Sequence, residues 1–422
     1  MLSLDFLIVT SEFPPEPGVS GRMACDLAEH LVSQGHRAKV VCPYPSRPSG
    51  AQYPTNNGQH VTEEIVRGVP VMRVPSRLAP ESRFGPRMLE SWSFGRWSSR
   101  MLSAHSPPPD VVYSVTWPML GQACISRRAA KLGIPHVTHI MDMYPESALV
   151  KVSPWLQQLS ARPLYALDRW NAFQADRLLV ISENMRQAYI TNRGLPPERI
   201  EVLRTWQDED MFLKLPQRAE AARHYGVKEG CFTFLFLGNI GPVAGVEHLI
   251  HSYAQAGLKE TQLVVVGEGT EKQACMRLAA GTGANIRFLS EPRIDRVPLV
   301  QSLADVCLLP VRSGAAFTSI PSKLSSYLLS QKPVLASVDD DTESSRVIGV
   351  ADCGWVVPPE ETNRLAHKMA AVAGMPASEL NVCGRRGREY ALEHLSKRRG
   401  VQRLAAILLG AAARKPHRNA SN

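Results

Sequence analysis

The stretch Ile320–Ile348 holds the residues best suited to binding an anion. Pro321 and Ser322 are typical of a helix start, because proline fits the first turn and a serine hydroxyl can cap free N–H groups. Lys323 follows directly in that first turn. A helix N-terminus with a lysine beside it attracts phosphate groups. The alternative is that Ser322 is only a cap and Lys323 only a solvated charge.

Two glycine-containing loops each follow a predicted strand and lead into a predicted helix. Gly18 and Gly21 lie in the first loop, and Gly238 and Gly241 lie in the second. Each such loop lies at the carboxyl edge of its parallel sheet, where ligands bind. Neither loop matches GxGxxG or a P-loop, so the sequence predicts no dinucleotide or Walker-type site. Turn glycines of a surface loop would be the simpler explanation.

Carboxylates follow two further strands. Asp142 and Glu146 come after a strand with two histidines, where a carboxylate could orient a sugar hydroxyl or act as a base. They could equally be the polar residues of a helix start. Glu343 is a candidate hydrogen-bond acceptor for a hydroxyl group of a ligand. The nearby Asp339–Asp341 does not predict a metal site, since three adjacent aspartates point in different directions.

Short apolar runs alternate with helical patterns in both halves of the chain, which predicts an α/β fold with mostly parallel sheets. The polar bridge Thr205–Arg218 has no clear period, and we expect the hinge there. We therefore predict two doubly wound domains, residues 1–210 and 211–400, facing a central cleft. Residues 401–422 form a C-terminal helix and tail that is expected to pack back towards the first domain.

The chain has 422 residues, a net charge of +9 and single, scattered cysteines. The cysteine pattern argues against a zinc site and a disulfide framework. The N-terminus is predicted to be a strand, not a signal peptide, and no run is long enough to span a bilayer. Arg83–Arg100 interleaves arginines with aromatic residues, which suits an anionic membrane surface. Nucleic acid is not expected, because no recognisable module is present. A solvated helix face is the alternative.

Several segments, in order, resemble glycosyltransferase family 4 enzymes. They include EFPPEPGVSGRMACDLAEHLVSQGHRAKVVCPYP, DMYPESALV, ADRLLVISENMRQAYI, LFLGNIGPVAGVEHLI, LVVVGEGTEK and PSKLSSYLLSQKPVLASVDDDTESSRVI. The resemblance covers nearly the whole chain. The chain is similar above all to the subgroup that builds bacterial cell-surface polysaccharides, the colanic-acid and O-antigen fucosamine-type transferases.

The resemblance implies a GT-B fold of two Rossmann-like domains and a retaining transfer from a nucleotide-diphosphate sugar, without a required metal or other cofactor. The acceptor would be a glycan or a lipid-linked glycan, and the enzyme would be cytoplasmic, on the inner face of the membrane. The predicted site residues are Asp142 and Glu146 for catalysis, Gly21, Gly238, Asn239, Gly241, Ser322, Lys323 and Glu343 for the donor, and Gly18, Arg22 and Trp117 for the acceptor.

The sequence departs from the family at several positions. Thr318 and Ser326 stand where many members carry two glutamates, and Asn239 and Ala244 stand where many carry arginine and lysine. A histidine that many family members carry after the strand beginning at Asp110-Val111-Val112 is also absent. These departures keep other readings open: transfer to a small-molecule acceptor, a non-catalytic sugar-nucleotide-binding protein, and, more weakly, an epimerase.

Overall fold

The structure, a computed structural model, describes residues 3–46, 60–77, 79, 84–116, 119–149, 153–314 and 322–414. Among the residues singled out by the sequence, Arg83, Trp117, Thr318 and Pro321 lie outside these ranges. The chain divides into two units between Thr205 and Trp206, whereas the sequence suggested 210/211. Residues from Gly400 onwards group with the first unit.

The first unit is an eight-stranded sheet with helices between its strands. Its elements are β1 Asp5–Thr10, α1 Val19–Ser33, β2 Arg37–Pro43, β3 Thr62–Val66, β4 Val69–Val74, α2 Phe84–Ala104, β5 Val111–Thr116, α3 Met119–Leu132, β6 His136–Ile140, α4 Glu146–Leu149, α5 Pro154–Gln174, β7 Arg177–Val180, α6 Glu183–Arg193 and β8 Ile200–Val202. The strand order is β3-β4-β2-β1-β5-β6-β7-β8. All pairs are parallel except β3–β4.

The second unit carries a six-stranded parallel sheet in the order β11-β10-β9-β12-β13-β14. Its elements are α7 Arg218–Tyr225, β9 Phe232–Leu237, α8 Val246–Ala256, β10 Thr261–Val266, α9 Lys272–Thr282, β11 Ile286–Leu289, α10 Val297–Ser302, β12 Val306–Pro310, α11 Ser322–Leu329, β13 Val334–Ser337, α12 Glu343–Ala351, β14 Gly354–Val357, α13 Thr362–Ala373 and α14 Ala377–His394. A last helix, α15 Lys397–Ala413, begins in this unit and continues with the residues grouped with the first.

Local sequence explains many of these boundaries. Ser182 caps α6 by accepting a hydrogen bond from the N–H of Met185, and Gly194 ends that helix with a left-handed backbone. Central strands such as β1 and β10 are buried along their whole length, which fits their unbroken apolar runs Phe6–Val9 and Leu263–Val266. The predicted alternation of strands and helices is confirmed. The antiparallel edge strand β3 and the long helix α14 were not predicted.

The switch in strand order of the second sheet lies between β9 and β12, where ligands bind at the carboxyl edge of such sheets. β12 pairs with β9 only at Phe234 and Leu235, so the last residues of β9 have no strand partner on that side. The buried hydroxyl of Tyr327, on α11, takes that place. It accepts a hydrogen bond from the N–H of Leu237 (2.9 Å) and donates one to its C=O (3.2 Å). Helix α11 is thereby fixed to the end of β9.

Tyr327→Phe is expected to lower the free energy of unfolding by about 1–2 kcal/mol, because both buried backbone groups of Leu237 lose their partner. Urea unfolding followed by circular dichroism would measure the change. Tyr253→Phe is the matched control, since its buried hydroxyl bonds only the side chain of Thr261 (2.8 Å). An unchanged unfolding midpoint for Tyr327→Phe would contradict this role.

Candidate functional site

Lys323 lies one helical turn before Tyr327 and therefore on the same face of α11. Its ammonium group sits 4.5 Å from the centroid of the Phe236 ring. Its stem runs beneath Gly238, where an added methyl group would overlap the lysine Cε. Burial lowers the pKa of Lys323 to about 8. No residue that the structure describes gives this ammonium group a hydrogen bond or an ion pair.

The glycine loop after β9 is locked to the loop after β10. The N–H of Gly238 donates to Val266 (2.9 Å), and the N–H of Ile240 donates to Glu268 (2.7 Å). Gly267 has φ +144°, and a side chain there would overlap the carbonyl oxygen of Gly238. This close approach of two backbones explains why the loop needs glycine.

The N–H groups of Asn239 and Gly241, which flank Ile240, have no acceptor among the residues described. Asn239 is exposed, as is Ser322 at the first position of α11. Two unpaired N–H groups, a helix start and a lysine without a counter-ion are the components of a phosphate site. The structure thus brings Gly238 and Lys323, both predicted donor residues, into direct proximity.

Glu343, the other predicted donor residue of this unit, is completely buried. It opens α12 next to its cap Thr342, and its carboxylate lies 3.5 Å from Arg346. A carboxylate in the first turn stabilises the helix N-terminus.

Ser326 occupies the position of a family glutamate, and it is buried too. Its hydroxyl accepts a hydrogen bond from the side-chain amide of Gln301 (2.9 Å) and donates to the carbonyl of Lys323 (2.9 Å). The amide oxygen of Gln301 in turn accepts a hydrogen bond from Ser330 (2.5 Å). These hydrogen bonds connect α10 to α11, the helix that carries Lys323.

A cavity of about 230 Å³ lies at the carboxyl ends of β12 and β13. It is bordered by Gly245, His248, Arg312 and Ser337. The buried Nε of Arg312 and Nε2 of His248 have no hydrogen-bond partner among the residues described. The backbone N–H of Arg312 donates to the carbonyl of Val243 (3.1 Å), and its guanidinium lies 3.7 Å from the carboxylate of Glu247 and 3.9 Å from that of Glu360. No local sequence pattern had indicated this arginine.

The predicted acceptor loop is organised around Glu12. Its carboxylate accepts a hydrogen bond from Ser20 (2.8 Å) and lies where a side chain on Gly18 would be. Gly21 is buried, and a side chain there would press on the backbone of Glu12 and Phe13. Both glycines are therefore required by the fold of the loop itself. Arg22, partly buried, lies in the first turns of α1.

Glu146 and Asp142 have different surroundings. The Glu146 carboxylate accepts a hydrogen bond from the guanidinium of Arg193 (2.8 Å). Arg193 is buried, also bonds Asp168 (2.9 Å) and so ties α5, α6 and the loop after β6 together. Asp142 is exposed and borders a cavity of about 20 Å³, room for one water molecule.

The two histidines of β6 are structural. His136 bonds Ser114 (2.8 Å) and His139 bonds Tyr113 (2.9 Å), all within the sheet. Burial lowers the pKa of each histidine to about 4, so both are neutral near pH 7. Within the described ranges, no group of three or more His, Cys, Asp or Glu side chains is arranged to hold a metal ion.

Comparison with known proteins gives relatives over most of the chain. WcaI of Escherichia coli, named as a colanic acid biosynthesis glycosyl transferase, is 25% identical over 413 residues, which cover 93% of this chain and 97% of WcaI. WbjE of Pseudomonas aeruginosa, named as a glycosyltransferase, is 24% identical over 285 residues, 66% of this chain and 70% of WbjE.

Solved structures share the fold. HepE of Anabaena, in complex with UDP, superposes with a TM-score of 0.71 at 15% identity, covering 96% of this chain and 100% of HepE. Sucrose-phosphate synthase from Thermosynechococcus elongatus superposes with a TM-score of 0.70 at 14% identity, covering 97% and 99%. These neighbours are GT-B glycosyltransferases, and the predicted GT-B fold with two Rossmann-like domains is confirmed.

Family models match both units. The glycosyl transferase 4-like domain matches residues 19–206, and the glycosyl transferases group 1 domain matches residues 231–374. The two matches follow each other in one chain and fall on the two Rossmann-like domains. The chain therefore belongs to the family 4 glycosyltransferases, as its sequence motifs indicated.

Proposed function

We propose that the protein transfers a sugar from a nucleotide-diphosphate sugar to a hydroxyl group of a glycan or lipid-linked acceptor in the assembly of a bacterial surface polysaccharide. The name of WcaI supports the pathway class, the name of WbjE supports glycosyl transfer, and the UDP bound to HepE supports the donor class. The proposed place of work is the cytoplasmic face of the membrane. Transfer is proposed to retain the anomeric configuration.

One observation carries the donor assignment: the Lys323 ammonium group is half-buried and has no counter-ion among the residues that the structure describes. Desolvating a cation without a partner is costly, and an anion at this position would offset that cost. A diphosphate supplies the charge, and the N–H groups of Asn239 and Gly241 supply further donors.

In the proposed reaction the acceptor oxygen forms a bond to the anomeric carbon. The bond from that carbon to the phosphate oxygen breaks, and the nucleoside diphosphate leaves with the electron pair. Lys323 and the start of α11 stabilise the charge that develops on the diphosphate, without a resident metal ion. The acceptor hydroxyl gives up its proton, and we assign Asp142 to orient that hydroxyl and accept the proton. Glu146, engaged by Arg193, is assigned to positioning the Asp142 loop.

A non-catalytic sugar-nucleotide-binding protein is the second candidate. Ser326 favours it, because the hydroxyl is used within the fold and supplies no carboxylate where the family has glutamate. Both candidates bind nucleotide, and only the first transfers sugar.

A thermal-shift screen with UDP, GDP, ADP and dTDP and their common sugars tests both. A ligand that binds the folded state raises the melting temperature by mass action. We expect a clear rise with one nucleotide, followed by sugar transfer or slow donor hydrolysis. Binding without either reaction would favour the second candidate. No rise with any nucleotide would contradict both.

Lys323→Ala is expected to weaken nucleotide binding by about 1–3 kcal/mol, roughly 5- to 150-fold in Kd, because a charge-assisted contact is lost. Calorimetric titration with UDP and with GDP measures this. Lys228→Ala is the matched control, an exposed lysine that precedes β9 at the opposite end of the sheet. Equal affinity of wild type and Lys323→Ala would remove this lysine from the site.

Asp142→Asn should lower the transfer rate by roughly 10²- to 10⁴-fold and leave nucleotide affinity unchanged, because a general base contributes to the chemical step. Glu146→Gln should instead lower the melting temperature, because buried Arg193 loses a charged partner. Steady-state kinetics and thermal unfolding separate the two effects. Full activity of Asp142→Asn would exclude it as the base.

A further inference from the structure

Helices α2, α3 and α5 form one continuous layer of the first unit. α2 and α3 cross closely at Gly95 and Gly121, where a side chain on Gly95 would strike the backbone of α3. The hydroxyl of Ser91 accepts a hydrogen bond from the N–H of Gly121 (2.7 Å). On the other side, Asn171 of α5 donates to the carbonyl of Met119 at the start of α3 (3.0 Å). The outer surfaces of the three helices therefore hold a fixed arrangement.

This helical layer has a strong charge bias. It contains two acidic residues, Glu90 and Asp168, which are buried and paired with Arg87 and Arg193. No carboxylate of the layer is therefore exposed. Its basic residues number three in α2, three in α3 and two in α5: Arg87, Arg96, Arg100, Arg127, Arg128, Lys131, Arg162 and Arg169.

The same layer exposes large apolar side chains. Trp155 and Leu159, one turn apart on α5, are 69% and 70% exposed. Trp170, near the other end of α5, is 38% exposed, and Leu89 and Trp92 on α2 are 50% and 44% exposed. Clustered exposed apolar groups mark an interaction surface, whereas single ones are ordinary. Along α5, Arg162 follows Leu159 by three residues, and Arg169 directly precedes Trp170.

We propose that the layer formed by α2, α3 and α5 docks on an anionic lipid bilayer, with Trp155 and Leu159 entering the interfacial region. Indole and leucine side chains partition to the depth of the headgroups, and arginines beside them meet anionic phosphates. Nucleic acid would match the charge but would leave Leu159 and Leu89 without a partner. The choice of a membrane also rests on the lipid-linked acceptor of the proposed function.

This surface extends the contact that the sequence predicted at Arg83–Arg100. In α2, the guanidinium groups of Arg96 and Arg100 stack on Trp92 and Trp97 at 5.0 and 4.9 Å. The more exposed apolar groups are on α5, which the sequence did not single out. Among the helices that the structure describes, none is long and apolar enough to cross a bilayer. Docking would therefore be peripheral, through side chains of folded helices.

Co-sedimentation with vesicles tests the proposal on the full chain. We expect wild type to bind vesicles of phosphatidylcholine and phosphatidylglycerol at low salt, and to bind phosphatidylcholine alone at least about tenfold more weakly. The double variant Trp155→Ala/Leu159→Ala should lose about tenfold or more in affinity for the anionic vesicles. Arg162→Gln/Arg169→Gln should weaken binding and reduce its salt dependence.

The matched control is Ile65→Ala/Val350→Ala, which removes two aliphatic side chains that are 68% and 72% exposed on other surfaces. It should bind vesicles like wild type. The proposal is overturned if wild type does not sediment with anionic vesicles at low salt, or if the α5 variant binds as well as the control. The thermal shift with nucleotide is measured on the same samples, so failure of membrane docking is distinguished from failure of the donor site.

Discussion

The hydroxyl of Tyr327 closes the open end of β9 and thereby decides where the candidate site can be. β9 continues beyond its pairing with β12, and without Tyr327 the backbone groups of Leu237 would be buried without partners. Because Lys323 precedes Tyr327 by one turn, the same contact holds its ammonium group over Phe236 and under Gly238. One hydrogen-bonded pair thus links sheet, helix start and glycine loop.

The position of Lys323 has an energetic consequence. The unfolded chain keeps this proton up to about pH 10.5, and the folded chain keeps it up to about pH 8. The unfolded state therefore binds more protons between these values, so stability rises with pH across that window and is lower at neutral pH. An anion that pairs with the ammonium group offsets this loss of stability at neutral pH, because it favours the charged form of Lys323 in the folded state. In the proposed function this anion is the diphosphate of the donor.

Local sequence patterns predicted the alternating α/β architecture, apart from β3 and α14, and the part of the candidate site that depends on adjacent residues. The strands, the glycine loops after β1 and β9, and the Ser322–Lys323 helix start are recognisable because each depends on a few adjacent residues. Glu146 follows a strand and is predicted to be catalytic, and its pairing with Arg193, 47 residues away, is not visible in the sequence. Tyr327 contacts Leu237 across 90 residues, and the backbone of Arg312, after β12, bonds the carbonyl of Val243 in the loop after β9. Such pairs depend on tertiary packing, which a single sequence does not display.

The central claim is that the Lys323 ammonium group pairs with the diphosphate of the donor. Calorimetric titration of UDP or GDP at pH 8.5, in two buffers of different ionisation enthalpy, counts the protons taken up on binding. With a pKa of about 8 in the free protein, most Lys323 side chains are neutral at pH 8.5, so pairing should take up a large fraction of a proton per nucleotide. Lys323→Ala should take up none. Binding of wild type without proton uptake would contradict the account.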